Sequence, residues 1–257
     1  MPEKTLERTE IMEKLLRESQ EGIASAITQR TAYFPMYQGS MTNGLAKVRG
    51  TKHKVTKDPV TEETTLSTQD GSFSFKLGKG FPETSFRRTT CQLHDMILRA
   101  YPSAGGHDRT IRISLDEYMK IRDVKGQKRA YMTMTQDANT LQHGVISFQE
   151  KRRGKNARDY INVSLFEYVK YENGILEVRF TELAAKIISA YNKQIGMYPI
   201  AMLATQNENT YQAQRTLTEH YRMNVGKANA NIVTVKSLLE KMILPTIEAL
   251  KASDREV

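Results

Sequence analysis

Apolar positions along the chain change period several times, and each change marks an element. Ile11, Met12, Leu15, Leu16, Ile23, Ala26 and Ile27 recur three and four residues apart, which predicts an amphipathic helix over residues 5–30. Residues 39–72 hold Gly, Thr, Lys and Asp with few large apolar side chains, so they read as loop, ending in a hairpin turned at Asp70-Gly71. Phe73, Phe75 and Leu77 alternate as a strand with one buried face. Beyond Pro82 the period becomes helical: Phe86, Leu93, Ile97 and Leu98 predict a first helix over residues 84–99, stopped by Tyr101-Pro102 and Gly105-Gly106. Ile111 and Ile113 make a short strand. Ser114 then precedes Glu117 by three residues, the capping-box spacing that starts a second helix. Ala130, Met134, Ala138 and Leu141 give the third, ending at Gly144.

Alternation returns over residues 145–151 and 160–165, and Asn173-Gly174 is a strong turn signal between Val169-Lys170-Tyr171 and Ile175-Leu176-Glu177-Val178. A three-stranded antiparallel sheet is expected to close the unit. Helix, short strand, helix, helix and a hairpin with a long tip is the winged-helix order, a variant of the helix-turn-helix. Thr181 can cap a further helix carrying Leu183, Ile187 and Ile188, and Tyr211, Leu217 and Tyr221 continue a second unit. The expected fold class is α+β: an N-terminal helical and loop or hairpin arm over residues 1–80, a winged-helix domain over 81–180, and a second winged-helix domain over 181–257 that lacks its recognition helix and wing.

Charge changes this picture most. Lysine and arginine outnumber acidic residues to give a formal charge of +9 and a pI near 9.5, which favours an acidic partner, with nucleic acid the commonest for a basic chain. No apolar run reaches the roughly 18 residues that span a bilayer, and the charged start MPEKTLERTE has no apolar signal core, so a cytoplasmic protein without a membrane partner is expected. The single cysteine, Cys91, falls in the apolar pattern of the first helix and is expected in the core. The five histidines are dispersed, with no His-x-His or His-Glu-x-x-His spacing, and GKGF at residues 78–81 lacks the spacing of a phosphate-binding loop. Neither a metal, a cofactor nor a catalytic constellation is expected, and the chain reads as no enzyme.

The basic residues concentrate in two places. The polar face of the third helix presents Lys128, Arg129, Thr133 and Gln136, with Asn139 or Thr140 next in line, all able to donate hydrogen bonds. The tip between the strands at 145–151 and 160–165 carries Lys151, Arg152, Arg153, Lys155 and Arg158, and Gly154 lets it turn tightly. In a winged helix the third helix can enter the major groove while a hairpin tip reaches phosphates. Five phosphate contacts would give a salt slope of roughly −4.5 by counterion release. Arg222 and Lys227 are further candidate DNA contacts at the basic end of the second unit.

The segments IRISLDEYMKIRDVKGQKRAYMTMTQDANTL, VISFQEKRRGKNARDYINV and NGILEVRFTELAAKII resemble the first winged helix of plasmid replication initiator proteins. NENTYQAQRTLTEHYRMNVGKANANIVTVKSLLEKMILP resembles the opening helices of their second. The resemblance implies tandem winged helices that bind repeats in double-stranded origin DNA and help open the duplex for a host replicative helicase or initiator, with a homodimer in one state. It places Lys128, Arg129, Thr133 and Gln136 on a recognition helix and residues 151–158 in a wing. Family members continue past the stretch like LPTIEALKASDREV into a second recognition helix and wing, whereas this sequence stops at Val257. The alternative is a winged-helix transcription regulator of a phage or plasmid, which would bind an operator without opening it. A nuclease or relaxase is a third reading, disfavoured by the missing His-x-His pair.

Overall fold

The computed structural model describes residues 33–37, 39–50, 53–103, 108–151, 158–190, 195–224, 226–228, 232–234 and 238. The amphipathic helix expected over residues 5–30 lies outside them. So do the closing residues 239–257.

The segment expected as a loop is structured. Strand β1 (Tyr33–Tyr37) leads into helix α1 (Ser40–Gly50), followed by strands β2 (Lys54–Lys57), β3 (Thr64–Ser67) and β4 (Phe73–Lys76). Serine, threonine, asparagine and glycine make α1 a poor helix by propensity. Tertiary contacts override this: Met41, Leu45 and Val48 are fully buried, and the Asn43 side chain accepts a hydrogen bond from Arg215. The hairpin turn at Asp70-Gly71 forms as expected. Asp70 Oδ1 accepts from the Thr68 hydroxyl at 2.6 Å and from the Ser72 amide at 3.1 Å, while Gly71 takes φ +66°.

A short 3-10 turn (Glu83–Ser85) precedes α2 (Arg88–Ser103), which therefore starts and stops about four residues later than the sequence indicates. Its start is set at Thr90, whose hydroxyl accepts from the Arg87 amide at 3.1 Å. It runs on because Tyr101 is buried, its ring 5.1 Å from that of Phe180. Strand β5 (Thr110–Ser114) and helix α3 (Leu115–Arg122) follow; Ser114 Oγ accepts from the Glu117 amide at 3.0 Å, so the predicted cap forms. Glu117 itself turns to Arg99, 3.2 Å away. Helix α4 (Gln127–His143) buries Ala130, Met134, Ala138 and Leu141, the four positions that predicted it.

The remaining strands are β6 (Val145–Lys151), β7 (Arg158–Ser164), β8 (Phe166–Glu172) and β9 (Ile175–Phe180). They do not close one three-stranded sheet as expected. The sheet of the winged helix is β5-β9-β8, so its wing is the β8–β9 hairpin, turned at Asn173 (φ 51°) and Gly174 (φ 77°). The longer hairpin β6–β7 instead extends the early strands into a five-stranded antiparallel sheet, β2-β3-β4-β6-β7. The switch has a simple cause: Phe73 and Phe75 pair in register with Phe148 and Ile146, joining two apolar faces that a three-stranded sheet would leave uncovered.

After β9 come α5 (Glu182–Ala190), β10 (Ile195–Pro199), the short α6 (Ala201–Ala204) and α7 (Glu208–Asn224). Thr181 caps α5 as predicted, accepting from the Ala184 amide at 3.1 Å. The hydrophobic core crosses the boundary that the sequence suggests at residue 181. Ala184, Ile188, Tyr198, Met202, Leu203 and Tyr211 belong to one cluster with Phe34, Leu45, Phe75, Leu93 and Met134. The same cluster takes in residues of β1, α1, β3 and β4, so these elements pack into the core, while β2 is exposed. Strand β10 pairs antiparallel with β1. A buried polar knot fastens α7 to α2 and α1: Asp95 Oδ2 accepts from Arg215 Nη1 at 2.5 Å and from the Tyr211 hydroxyl at 2.7 Å, and Arg215 Nη2 reaches Asn43 Oδ1 at 3.0 Å.

Candidate nucleic-acid interface

Helix α4 divides cleanly into two faces. Asp137 and Thr140 join the apolar positions on the inner face. Asp137 Oδ1 accepts from Arg87 Nη2 at 2.9 Å and from the Thr90 hydroxyl at 2.7 Å; burial nevertheless pushes its carboxyl above the ordinary range, against the pull of Arg87. Thr140 is buried with its hydroxyl on the Gln136 carbonyl, so of the two sequence alternatives Asn139 is the exposed one. The outer face brings Lys128, Arg129, Thr133 and Gln136 together around one shallow concavity, with Gly126, Gln127 and Met132 completing its wall. Among the described residues, neither Lys128 nor Arg129 is in an ion pair.

The start of α4 runs against helix stability. Gly126 offers no side-chain cap, and the first turn carries Lys128 and Arg129 with no acidic residue. Cations at a helix N-terminus oppose the macrodipole, and open amide groups there suit an anion. The charge order is therefore what a phosphate-rich partner would favour.

Lys128 also borders a second cleft, between α4 and the β8–β9 turn, lined by Asp116, Tyr131, Tyr171 and Asn173. The Tyr131 ring is spent there, its centroid 4.7 Å from that of Tyr171. In the β6–β7 hairpin, Lys151 and Arg158 are register partners at the last described rung, so they flank residues 152–157 from both strands. Arg152, Arg153 and Lys155 lie outside the described residues. Of the candidates near the end of the chain, Arg222 falls within α7 and Lys227 is exposed beyond it, its Nζ 3.4 Å from Asn224 Oδ1. Met132 is not among the residues that the sequence pattern singles out; a methionine off the apolar stripe of Ala130, Met134, Ala138 and Leu141 is the signal that marks it.

Cys91 is buried as expected, and burial raises its thiol well above the ordinary range, so it is chemically quiet. Among the described residues no group of three or more His, Cys, Asp or Glu side chains could hold a metal, and no helix is long and apolar enough to cross a membrane.

The helix, strand, helix, helix and hairpin order, with β5 paired to the second strand of the wing, defines a winged-helix protein of the DNA-binding class. Within that class, residues 86–211 match the family described as Initiator Replication protein, WH1. No curated protein sequence matches the chain. Among solved structures, domains 2 and 3 of RctB align over 84% of this chain and 84% of theirs, with 9% identity and a TM-score of 0.50, a likeness of fold. A second structure of RctB domains 2 and 3 covers 80% of this chain and 76% of its own, at 7% identity and a TM-score of 0.45. The WH1 domain of MSBI1.176, a replication protein isolated from a multiple sclerosis patient, covers 42% of this chain and 81% of its own, with 19% identity and a TM-score of 0.32.

Proposed function

We propose that this replication initiator binds repeated sites in double-stranded origin DNA and helps open the duplex for host replication proteins. Helix α4 enters the major groove, where Gln136 and Thr133 meet base edges and Lys128 and Arg129 meet the backbone or guanine edges near its start. The β6–β7 hairpin reaches phosphates beside the groove with Lys151, Arg152, Arg153, Lys155 and Arg158, supplying affinity without sequence preference. Arg222 and Lys227 extend the cationic surface. A host helicase or initiator is the next partner, and a homodimer is one state of the free protein.

The observation that carries this reading is the gathering of Lys128, Arg129, Thr133 and Gln136 on one solvent face of α4, around one concavity and free of acidic neighbours in the first turn. The test is a binding titration against the DNA upstream of its own gene, with random duplex as competitor at two salt concentrations, followed by permanganate mapping of unpaired thymines. Preference for the upstream repeats, with a steep loss in salt and new permanganate reactivity, is expected. Binding without opening would instead fit the transcription-regulator alternative, and no salt-sensitive binding at all would defeat both.

A further inference from the structure

Met132 is a large apolar side chain that helix α4 turns to solvent amid its polar donors. It is 47% exposed, and it occupies the middle of the row Lys128, Met132, Gln136, spaced four residues apart along the outer face of α4. Its neighbour Tyr131 is also exposed but spends its ring on Tyr171, so Met132 is the apolar group that α4 offers outward beside its polar donors. The concavity it shares with Lys128, Arg129, Thr133 and Gln136 is walled mainly by carbon, although most of the residues lining it are polar.

The major-groove edge of a base pair has one apolar feature, the C5-methyl group of thymine, beside the donors and acceptors that amide side chains read. We propose that Met132 is a specificity residue whose thioether side chain packs on a thymine methyl in the major groove. The Gln136 amide, one helical turn on, reads an adjacent or next-adjacent base pair. One turn advances about 5.4 Å, between one and two base-pair steps of about 3.4 Å, so the two contacts fall on neighbouring positions of one site. A flexible, polarizable side chain suits this role, because it adapts to the methyl without a fixed rotamer. The inference rests on the major-groove placement of α4 and deepens it.

The experiment uses the full chain and a randomised duplex pool to select bound sequences, then replaces each thymine of the selected site by deoxyuridine, which removes the methyl alone. Wild type is expected to lose about fourfold in affinity at one thymine, the worth of one buried methyl-sized group. Met132→Ala is expected to show no such loss at that position, while Met132→Leu restores it. Because Met132 faces solvent, both variants are expected to keep the unfolding midpoint of wild type. A selected sequence in which no deoxyuridine effect depends on residue 132 overturns the proposal and leaves the groove placement standing. Selection that yields no preferred sequence, with Gln136→Ala binding like wild type, overturns the groove placement itself.

Discussion

Gly144 looks from the sequence like a helix-ending residue, yet its φ of −88° is open to any side chain. Space is what it supplies. A Cβ there would lie 2.1 Å from the Phe75 ring, just as a Cβ at Gly44 would lie 1.9 Å from the ring of Phe73. Gly144→Ala should therefore cost about 1–3 kcal/mol through overpacking, read as a lower urea midpoint with unchanged slope. The Asp95–Arg215 pair makes a second residue-scale prediction. Burial alone would raise the Asp95 carboxyl, but Arg215, His94 and Tyr211 reverse the effect and hold it below the usual range. A carboxylate with a depressed folded pKa stabilises above its unfolded pKa and loses that contribution as pH falls through the folded one. Asp95→Asn, which leaves a buried guanidinium without its counter-charge, is expected to cost about 3–5 kcal/mol near neutrality. The gap from wild type should narrow as pH drops below about 4, and an equal gap at all pH values would contradict this account. Neither role was legible in the sequence, because both depend on partners that only the fold brings near: Gly144 meets Phe75 across the sheet, and Asp95 meets Arg215 from 120 positions away.

At the scale of elements, strong periodicity told most. The third helix and its polar face emerged from Ala130, Met134, Ala138 and Leu141 alone, and the caps at Ser114 and Thr181 formed where their spacing placed them. Helix α1 was hidden because its weak helix formers are held by Arg215 and by burial, which a local window cannot see. The hairpins were legible but their partners were not. Alternation marks a strand without saying which sheet it joins, so it assigns the wing to β6–β7 when β8–β9 holds that place. Phosphate contact by the basic tip of β6–β7 remains part of the proposed function. Arg152→Ala with Arg153→Ala should weaken binding alike on specific and random duplex and flatten the salt slope by about 1.8, whereas Gln136→Ala should shift the preferred sequence. Equal losses on both kinds of DNA from both changes would refute that division.

For the whole molecule, composition pointed to an acidic partner and the order of elements to a winged helix, but the extent of the core was not legible. Strand β10, late in the chain, returns to pair with β1, and α7 is tied through Arg215 to α1 and α2. A fragment of residues 81–180 would leave Phe86, Phe148 and Tyr101 without Phe75, Phe73 and Tyr37, which pack or pair with them. It should unfold without cooperativity in circular dichroism, whereas residues 33–224 should show one sharp transition. Two transitions from the longer fragment would contradict the single core.

One residue, Gly144, lies between the last turn of α4 and the first of β6, wedged against Phe75. No tether is left there to stretch. On the proposed reading, the helix that would meet bases and the hairpin that would meet phosphates behave as the two jaws of a gauge, and a duplex whose groove does not fit them has to bend or untwist to be held. If the protein opens the duplex as proposed, that transfers the deformation to the DNA.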